Sequence, residues 1–262
     1  MKTNLMIKIR ALSLSIHDKT LLQNISFDVA EGDHLAVVGP NGSGKSTLLR
    51  LLVGILSPSQ GEILLHGKSM QAYSQRQLAR LISYVPQNSG RQLPFQVEDF
   101  VKMARYPYHT ALSDWLPEDQ QAVEDAFRIT NTAPFRQRQM TTLSGGECQR
   151  VMIAAALCQQ TPIMILDEPT SYLDPHHQVE VHQLIHRLNQ QHGITVIEVS
   201  HDINHASQHS QQVLALKQGE RLWFGASEDF LQADLLKALY NQDFVFVPHP
   251  HSGRNIALPA QS

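Results

Sequence analysis

No apolar stretch in this sequence approaches the roughly 20 residues that a membrane-spanning helix needs; runs such as Ile153–Cys158 stop far short. A bilayer-crossing segment is therefore not expected. Blocks of like charge are also missing. With 21 Lys and Arg against 24 Asp and Glu, the formal net charge is −3. That balance argues against nucleic acid as a partner and against a polybasic membrane anchor. The opening residues, Met1–Arg10, lack the continuous apolar core of a signal peptide, because Lys8 and Arg10 interrupt it. They read as an alternating first strand. Cysteine is scarce: Cys148 and Cys158 are the only two, and both fall in one expected helix. Their separation along that helix is about 15 Å of rise, too far for a disulfide, and a reducing, cytoplasmic setting fits. Internal repeats and low-complexity tracts are absent.

Histidine is plentiful, with 14 residues, but the pattern for a metal is incomplete. His182 and His186 are spaced i, i+4, as are His201, His205 and His209, and such spacing can hold an ion. No cysteine or acid cluster completes a site, and the surrounding charges read as wet helix faces.

What is present centres on Gly39-Pro40-Asn41-Gly42-Ser43-Gly44-Lys45-Ser46-Thr47. The segment fits G-x-x-x-x-G-K-[ST]. A buried strand is expected before it (Leu35–Val38) and a helix after it, from near Lys45 toward Gly54 and Pro58. Glycines let the backbone turn sharply, so that successive N–H groups point inward as an anion nest. The positive end of the helix dipole adds to it. Lys45 is expected to reach β- and γ-phosphates, and Ser46 to hold Mg²⁺.

Along the chain, residues 5–30 read as strands and Gly61–Leu65 as another. Gln75–Leu81 reads as a helix and Ile82–Val85 as a strand ending at Pro86-Gln87. Residues 96–105 and 117–130 read as helices. Between these lies an aromatic stretch, Arg105–Leu112, that is either a packing cluster or a protein contact surface. Ser144-x-x-Glu147 is a capping box opening a helix through Leu157. Paired glycines, Gly145 and Gly146, weaken a first turn and point to a second anion site at that helix N-terminus. Ile163–Leu166 belongs to an apolar run that reads as a buried parallel strand. It ends in Asp167 and Glu168, at the strand end where ligands bind in α/β folds. A helix over 178–191, a strand Ile194–Val199 ending at His201, two strands within 211–224, a helix over 228–240 and a last strand Phe244–Val247 follow. The final dozen residues read as a loose tail.

The motif order resembles the ATP-binding cassette ATPases over nearly the whole chain. Gly39–Thr47 is similar to Walker A, Gln87 to the Q-loop and Leu143–Glu147 to the signature LSGGQ. Ile163–Glu168 is similar to Walker B with its catalytic glutamate, Ser171–Asp174 to the D-loop, and His201 to the switch histidine. The resemblance implies an α/β fold: a P-loop NTPase core with a mostly parallel sheet, an antiparallel β subdomain and a helical subdomain. It implies one domain over 1–262. The core and β layer would lie at about 1–85 and 160–243, the helical part at about 88–159 and the tail at 244–262.

It also implies roles. Gly39–Thr47 would bind ATP, with Mg²⁺ held by Ser46, Gln87 and Asp167. Glu168 would polarise water, with His201 and Gln87 beside the reacting phosphate. Ser144 and Gly146 would cap the γ-phosphate of ATP bound by a second copy, which implies a head-to-tail homodimer, and Gly145 and Asp174 would also belong to the nucleotide site. Ala104–Tyr108, Thr170–Gln178 and the tail around Pro248–Gly253 resemble the separate ATPase subunits of importers for ferric siderophores, haem and vitamin B12. Such subunits serve membrane permeases fed by a periplasmic binding protein and sit at the cytoplasmic face of the inner membrane. A ferric siderophore is the favoured cargo. A soluble cassette ATPase acting on nucleic acid or ribosomes fits less well, since that class carries coiled-coil inserts or paired cassettes. A module that never hydrolyses ATP sits poorly with Glu168.

The sequence departs from the family at several points. Glu147 stands where the signature has Gln, and its carboxylate is expected to turn away from phosphate into the capping box. Ile16 and His17 stand where an aromatic meets adenine. Glu198 lies inside an expected buried strand with no partner evident.

Overall fold

A computed structural model describes residues 5–87, 93–110, 113–250 and 253–260. Met1–Asn4 of the expected first strand, the expected start of the helical subdomain near 88, Ala111 and Leu112 of the aromatic stretch, and His251, Ser252, Gln261 and Ser262 of the tail lie outside them. The chain forms two compact units. One comprises residues up to Ala72 together with those from Ile197 onward; the other runs Tyr73–Val196.

The first unit opens with two long strands, β1 (Leu5–Ile16) and β2 (Lys19–Ala30), whose alternating apolar residues bury one face. They pair antiparallel through a turn at His17 and Asp18. β3 (His34–Val38) is buried at every position and leads through the glycine loop into α1 (Lys45–Leu52). β4 (Gln60–Leu65) and the short β5 (Lys68–Ser69) complete a four-stranded antiparallel sheet in the order β2-β1-β4-β5.

The second unit begins with α2 (Gln75–Leu78), shorter than the expected 75–81, since the chain turns at Ala79–Leu81 into β6 (Ile82–Val85). Helices α3 (Val97–Met103), α4 (Pro117–Ile129) and α5 (Gly145–Cys158) enclose a core built on Val101, Phe127, Met140, Val151 and Ala154. Cys148 and Cys158 are buried in α5 as reduced thiols, and burial pushes the Cys158 thiol up to about 12. β7 (Ile163–Asp167), buried throughout, pairs parallel with β6. α6 (Pro175–His192) starts three residues before the expected 178. Asp174 caps it and Pro175 takes its first position, a start signal that the sequence carried. Val85, Met164, Leu166, Val181, Leu184 and Leu188 fill the space between this helix and the strands.

β8 (Thr195–Val199) crosses the sequence boundary between the units. In the first unit, α7 (Ile203–His209) follows, then β9 (Gln212–Lys217), which pairs parallel with β3 and antiparallel with β10 (Glu220–Ala226). The expected helix over 228–240 begins only at α8 (Ala233–Tyr240); before it, Ser227–Asp229 makes a 3₁₀ turn and Phe230 is buried. The tail differs from expectation. β11 (Phe244–Pro248) pairs antiparallel with β12 (Asn255–Pro259). Ala257 at the centre of β12 is buried against Ile203, Ala206 and Leu236, and that apolar contact orders a segment expected to be loose.

The aromatic stretch packs, within its described part. Arg105 is buried and its Nε donates to Asp119 Oδ1 over 2.8 Å, while its Nη1 donates to the Cys158 carbonyl over 3.0 Å. Burial by itself raises the Asp119 carboxyl, but Arg105 and the Leu116 N–H outweigh it and hold the group low. The Arg105 guanidinium stacks 4.0 Å over the Tyr108 ring. The Tyr106 ring, by contrast, is 80% exposed.

Candidate nucleotide site

The glycine loop lies in the first unit. Gly39, Gly42 and Gly44 take φ values of 148°, 77° and 102°. A Cβ added at Gly39 would stand 2.1 Å from the Leu216 carbonyl oxygen, so only glycine fits there. No side chain caps the N-terminus of α1; its first-turn N–H groups are the donors an anion at the loop would meet. Lys45 is 5% exposed, and its Nζ donates to the carbonyls of Gly39 over 2.8 Å and Pro40 over 3.1 Å. Ser43 Oγ is buried and has no hydrogen-bond partner among the described residues. This loop therefore has the glycine cradle, cation and helix terminus that phosphate requires.

His201 follows β8 in the same unit and is exposed. Asp202 caps α7 by accepting from the N–H groups of Asn204 and His205, each over 2.9 Å. A cavity of about 360 Å³ borders His201, lined also by Ile203, Asn204, Tyr240 and Phe244. Burial pushes the Tyr240 phenol up to about 12, with the Gly39 N–H opposing it. Ile16 and His17 lie at the β1–β2 turn, both exposed, and His17 has a φ of 52°.

The carboxylates lie in the second unit. Asp167 ends β7, is 5% exposed, and accepts from the Tyr84 hydroxyl over 3.3 Å. Glu168 follows in the left-handed region at φ 52°, a conformation that a non-glycine residue holds at a cost of about 1–3 kcal/mol. Such strain concentrates at functional positions. Gln87 Nε2 donates to Glu168 Oε2 over 2.5 Å, and Ser171 Oγ donates to the same oxygen over 2.9 Å. Two donors, one of them 81 residues away in sequence, thus aim at the carboxylate of a residue in the left-handed region.

The signature turn is in the same unit. Ser144 Oγ accepts from the Glu147 N–H over 3.2 Å, and Glu147 Oε2 accepts from the Ser144 N–H over 2.8 Å. Arg138 Nη1 donates to Glu147 Oε1 over 3.1 Å. The Ser144 N–H first, then Arg138, hold this carboxyl below its ordinary range. The carboxylate is accordingly turned into the capping box. Ser144 is exposed, Gly145 half-buried and Gly146 buried. Asp174 caps α6, and its Oδ2 takes a hydrogen bond from His177 Nδ1 over 2.6 Å.

The expected residues thus fall into groups. The loop Gly39–Thr47 and His201 belong to the first unit; Gln87, Asp167, Glu168, the signature turn and Asp174 belong to the second. Sequence reading missed Ser171 as a partner of Glu168, Tyr84 as a partner of Asp167, and His177. It also left Glu198 unexplained. Glu198 Oε2 meets His34 Nε2 at 3.1 Å, with both residues buried within the first unit. No local signal marks that pairing, because 164 residues separate the two.

The ABC transporter family profile matches residues 22–171. The chain belongs to this family. It is an ATP-binding, ATP-hydrolysing subunit. It is similar to the ferric enterobactin transport ATP-binding protein FepC of Escherichia coli, 34% identical over 95% of this chain and 92% of that protein. The hemin import ATP-binding protein HmuV of Thermobifida fusca is 38% identical over 96% of this chain and 88% of its own. Among solved structures, a chain described as a metal-chelate type ABC transporter in an inward-facing conformation aligns with a TM-score of 0.86 at 30% identity, over 98% of both chains. Among the described residues, no helix is long and apolar enough to cross a membrane.

Proposed function

We propose that the chain powers import of a metal chelate, with a ferric siderophore as cargo, from the cytoplasmic face of the membrane. Two copies would serve a pair of permease subunits supplied by a periplasmic binding protein. The observation that carries the ATPase reading is the Gly39–Thr47 loop, whose left-handed glycines stand before an uncapped helix N-terminus. The cargo rests on similarity to siderophore and metal-chelate systems.

The residues suit ATP and Mg²⁺. Backbone N–H groups and Lys45 complement the phosphates. The Ser46 hydroxyl, the Asp167 carboxylate and the Gln87 carbonyl are hard oxygen donors of the kind Mg²⁺ takes. Gln87 fits this part because its Nε2 is committed to Glu168, which leaves its Oε1 for the ion. Bound Mg·ATP supplies the phosphoryl group that is transferred to water. Glu168 orients that water and accepts its proton, with Gln87 and Ser171 fixing the carboxylate. His201 donates a hydrogen bond to the terminal phosphate. Ser144, Gly145, Gly146 and Asp174 of a second copy close the site.

The test is reconstitution with candidate permeases in vesicles, with uptake of iron-55 bound to a siderophore, to haem or to no chelator. ATP-dependent uptake of the siderophore complex is expected. Uptake of haem alone would move the cargo, and co-purification with no membrane protein would sink the transporter reading.

A further inference from the structure

The start of α6 is packed directly on the signature turn. A Cβ added at Gly146 would stand 2.1 Å from His177 Cδ2 and 2.4 Å from its Cγ. The ring thus lies against the Gly146 backbone, where no side chain could fit. Its Nδ1 is fixed by Asp174 Oδ2 over 2.6 Å, while the His177 N–H donates to Asp174 Oδ1 over 3.1 Å. Asp174 is held below its ordinary range by the His177 backbone first and then by its ring. One turn on, Arg150 of α5 meets Glu180 of α6 at 3.6 Å. The two helices are therefore joined at their N-terminal ends by an imidazole and then by an ion pair.

We propose that His177 is a positioning residue that sets the Ser144–Gly146 turn against Asp174. Both segments act, on the reading above, in the composite nucleotide site, and the inference rests on that reading. The ring acts as a spacer of fixed thickness. Asp174 prevents it from rotating, and the bare Gly146 backbone lets it seat. A helix N-terminus binds phosphate only where its N–H groups point, and a displacement near 1 Å can lower a rate on the order of a hundredfold. Gly146 is then required for a second reason besides exposing its N–H: it makes room for His177.

The experiment is a steady-state ATPase cycle on the full chain in its permease complex. Wild type, His177→Ala, His177→Gln, Gly146→Ala and the His177→Ala/Gly146→Ala double variant are compared, each with its melting temperature. His177→Ala is expected to lower kcat on the order of tenfold to a hundredfold, with KM for ATP within about twofold, because the glycine loop is untouched. His177→Gln keeps an N–H for Asp174 and should regain part of the loss. Gly146→Ala should be more damaging than His177→Ala, and the double variant should be no worse than His177→Ala, since the clash is gone. Wild-type kcat in His177→Ala overturns the proposal. So does a double variant as inactive as Gly146→Ala, or a fall in melting temperature that accounts for the whole loss. If wild type itself fails to hydrolyse ATP, the functional reading fails instead.

Discussion

Gln87 Nε2 and Ser171 Oγ converge on a single oxygen of Glu168, at 2.5 and 2.9 Å. Both hydrogen bonds hold Oε2 in place. Two donors on one oxygen also fix the plane of the carboxylate, and a base so fixed loses little freedom when it meets water. The roles proposed for this group can be tested separately.

Glu168→Gln should keep the hydrogen bond from Gln87, because the amide oxygen still accepts. It should bind ATP at near wild-type affinity and lose turnover by roughly 10²–10⁴-fold. Phosphate release and nucleotide-binding assays check this together. Turnover near the wild-type rate would remove Glu168 from the role of base. Sedimentation with ATP should show the stalled variant as a dimer.

Ser171→Ala removes one of the two donors without altering charge. Loss of a hydrogen bond to a charged group is worth about 1.5–3 kcal/mol at most. A fall in kcat of about tenfold, equivalent to ~1.4 kcal/mol, is the expected result, with KM unchanged. A rise in KM instead would mean that Ser171 acts in ground-state binding.

Gly39→Ala forces a Cβ to within 2.1 Å of the Leu216 carbonyl oxygen at a φ of 148°. Loss of fluorescent-nucleotide binding is expected, with a stability cost of about 1–3 kcal/mol. Denaturation in urea measures the second and anisotropy the first. Binding at wild-type strength would show that the loop relaxes.

Glu98 lies between Lys102 and Arg136, at 2.7 and 3.0 Å. Hydrogen bonds from Arg136 first and Lys102 second hold its carboxyl at about 2, against 4.5 ordinarily. A folded-state value below the unfolded one stabilises the fold above about pH 4.5. That contribution fades as pH falls through about 2. Glu98→Gln should therefore cost about 2 kcal/mol at pH 7 and less at pH 3. Urea titrations at the two values check the sign: a larger loss at pH 3 would contradict it.

Glu198→Ala would leave His34 buried without its acid. Leaving a buried hydrogen-bonding group without its partner costs about 1–3 kcal/mol. A change below about 1 kcal/mol in urea denaturation would mean that this pair adds little to the fold.

Much of the fold was legible because the signals were local. β7 announced itself as an apolar run, β6 by its stop at Pro86, and α5 by its capping box. The boundaries that slipped did so where tertiary contacts intervene. α8 begins late because Phe230 is drawn into the core before the helix can form. β12 escaped notice since its ordering depends on Ala257 meeting α7, with Asn204 donating to the Ala257 carbonyl and accepting its N–H. The glycine loop and the paired acids could be read directly, as each is a compact segment with a chemical purpose. His34 with Glu198, and Ser171 with Glu168, could not be read in that way. Their pairing follows from how strands and turns are laid beside one another, and a periodic pattern carries no record of it.

The burial of both cysteines in α5 has a practical consequence. Cys158 keeps its proton far above neutral pH, and a thiol must ionise before it attacks a maleimide or a nitroxide reagent. A cysteine introduced at Tyr172, which is 83% exposed, would thus outcompete the native pair for label. Spin probes at that place on two copies would turn the proposed closure of the dimer into a distance that can be followed through a catalytic cycle.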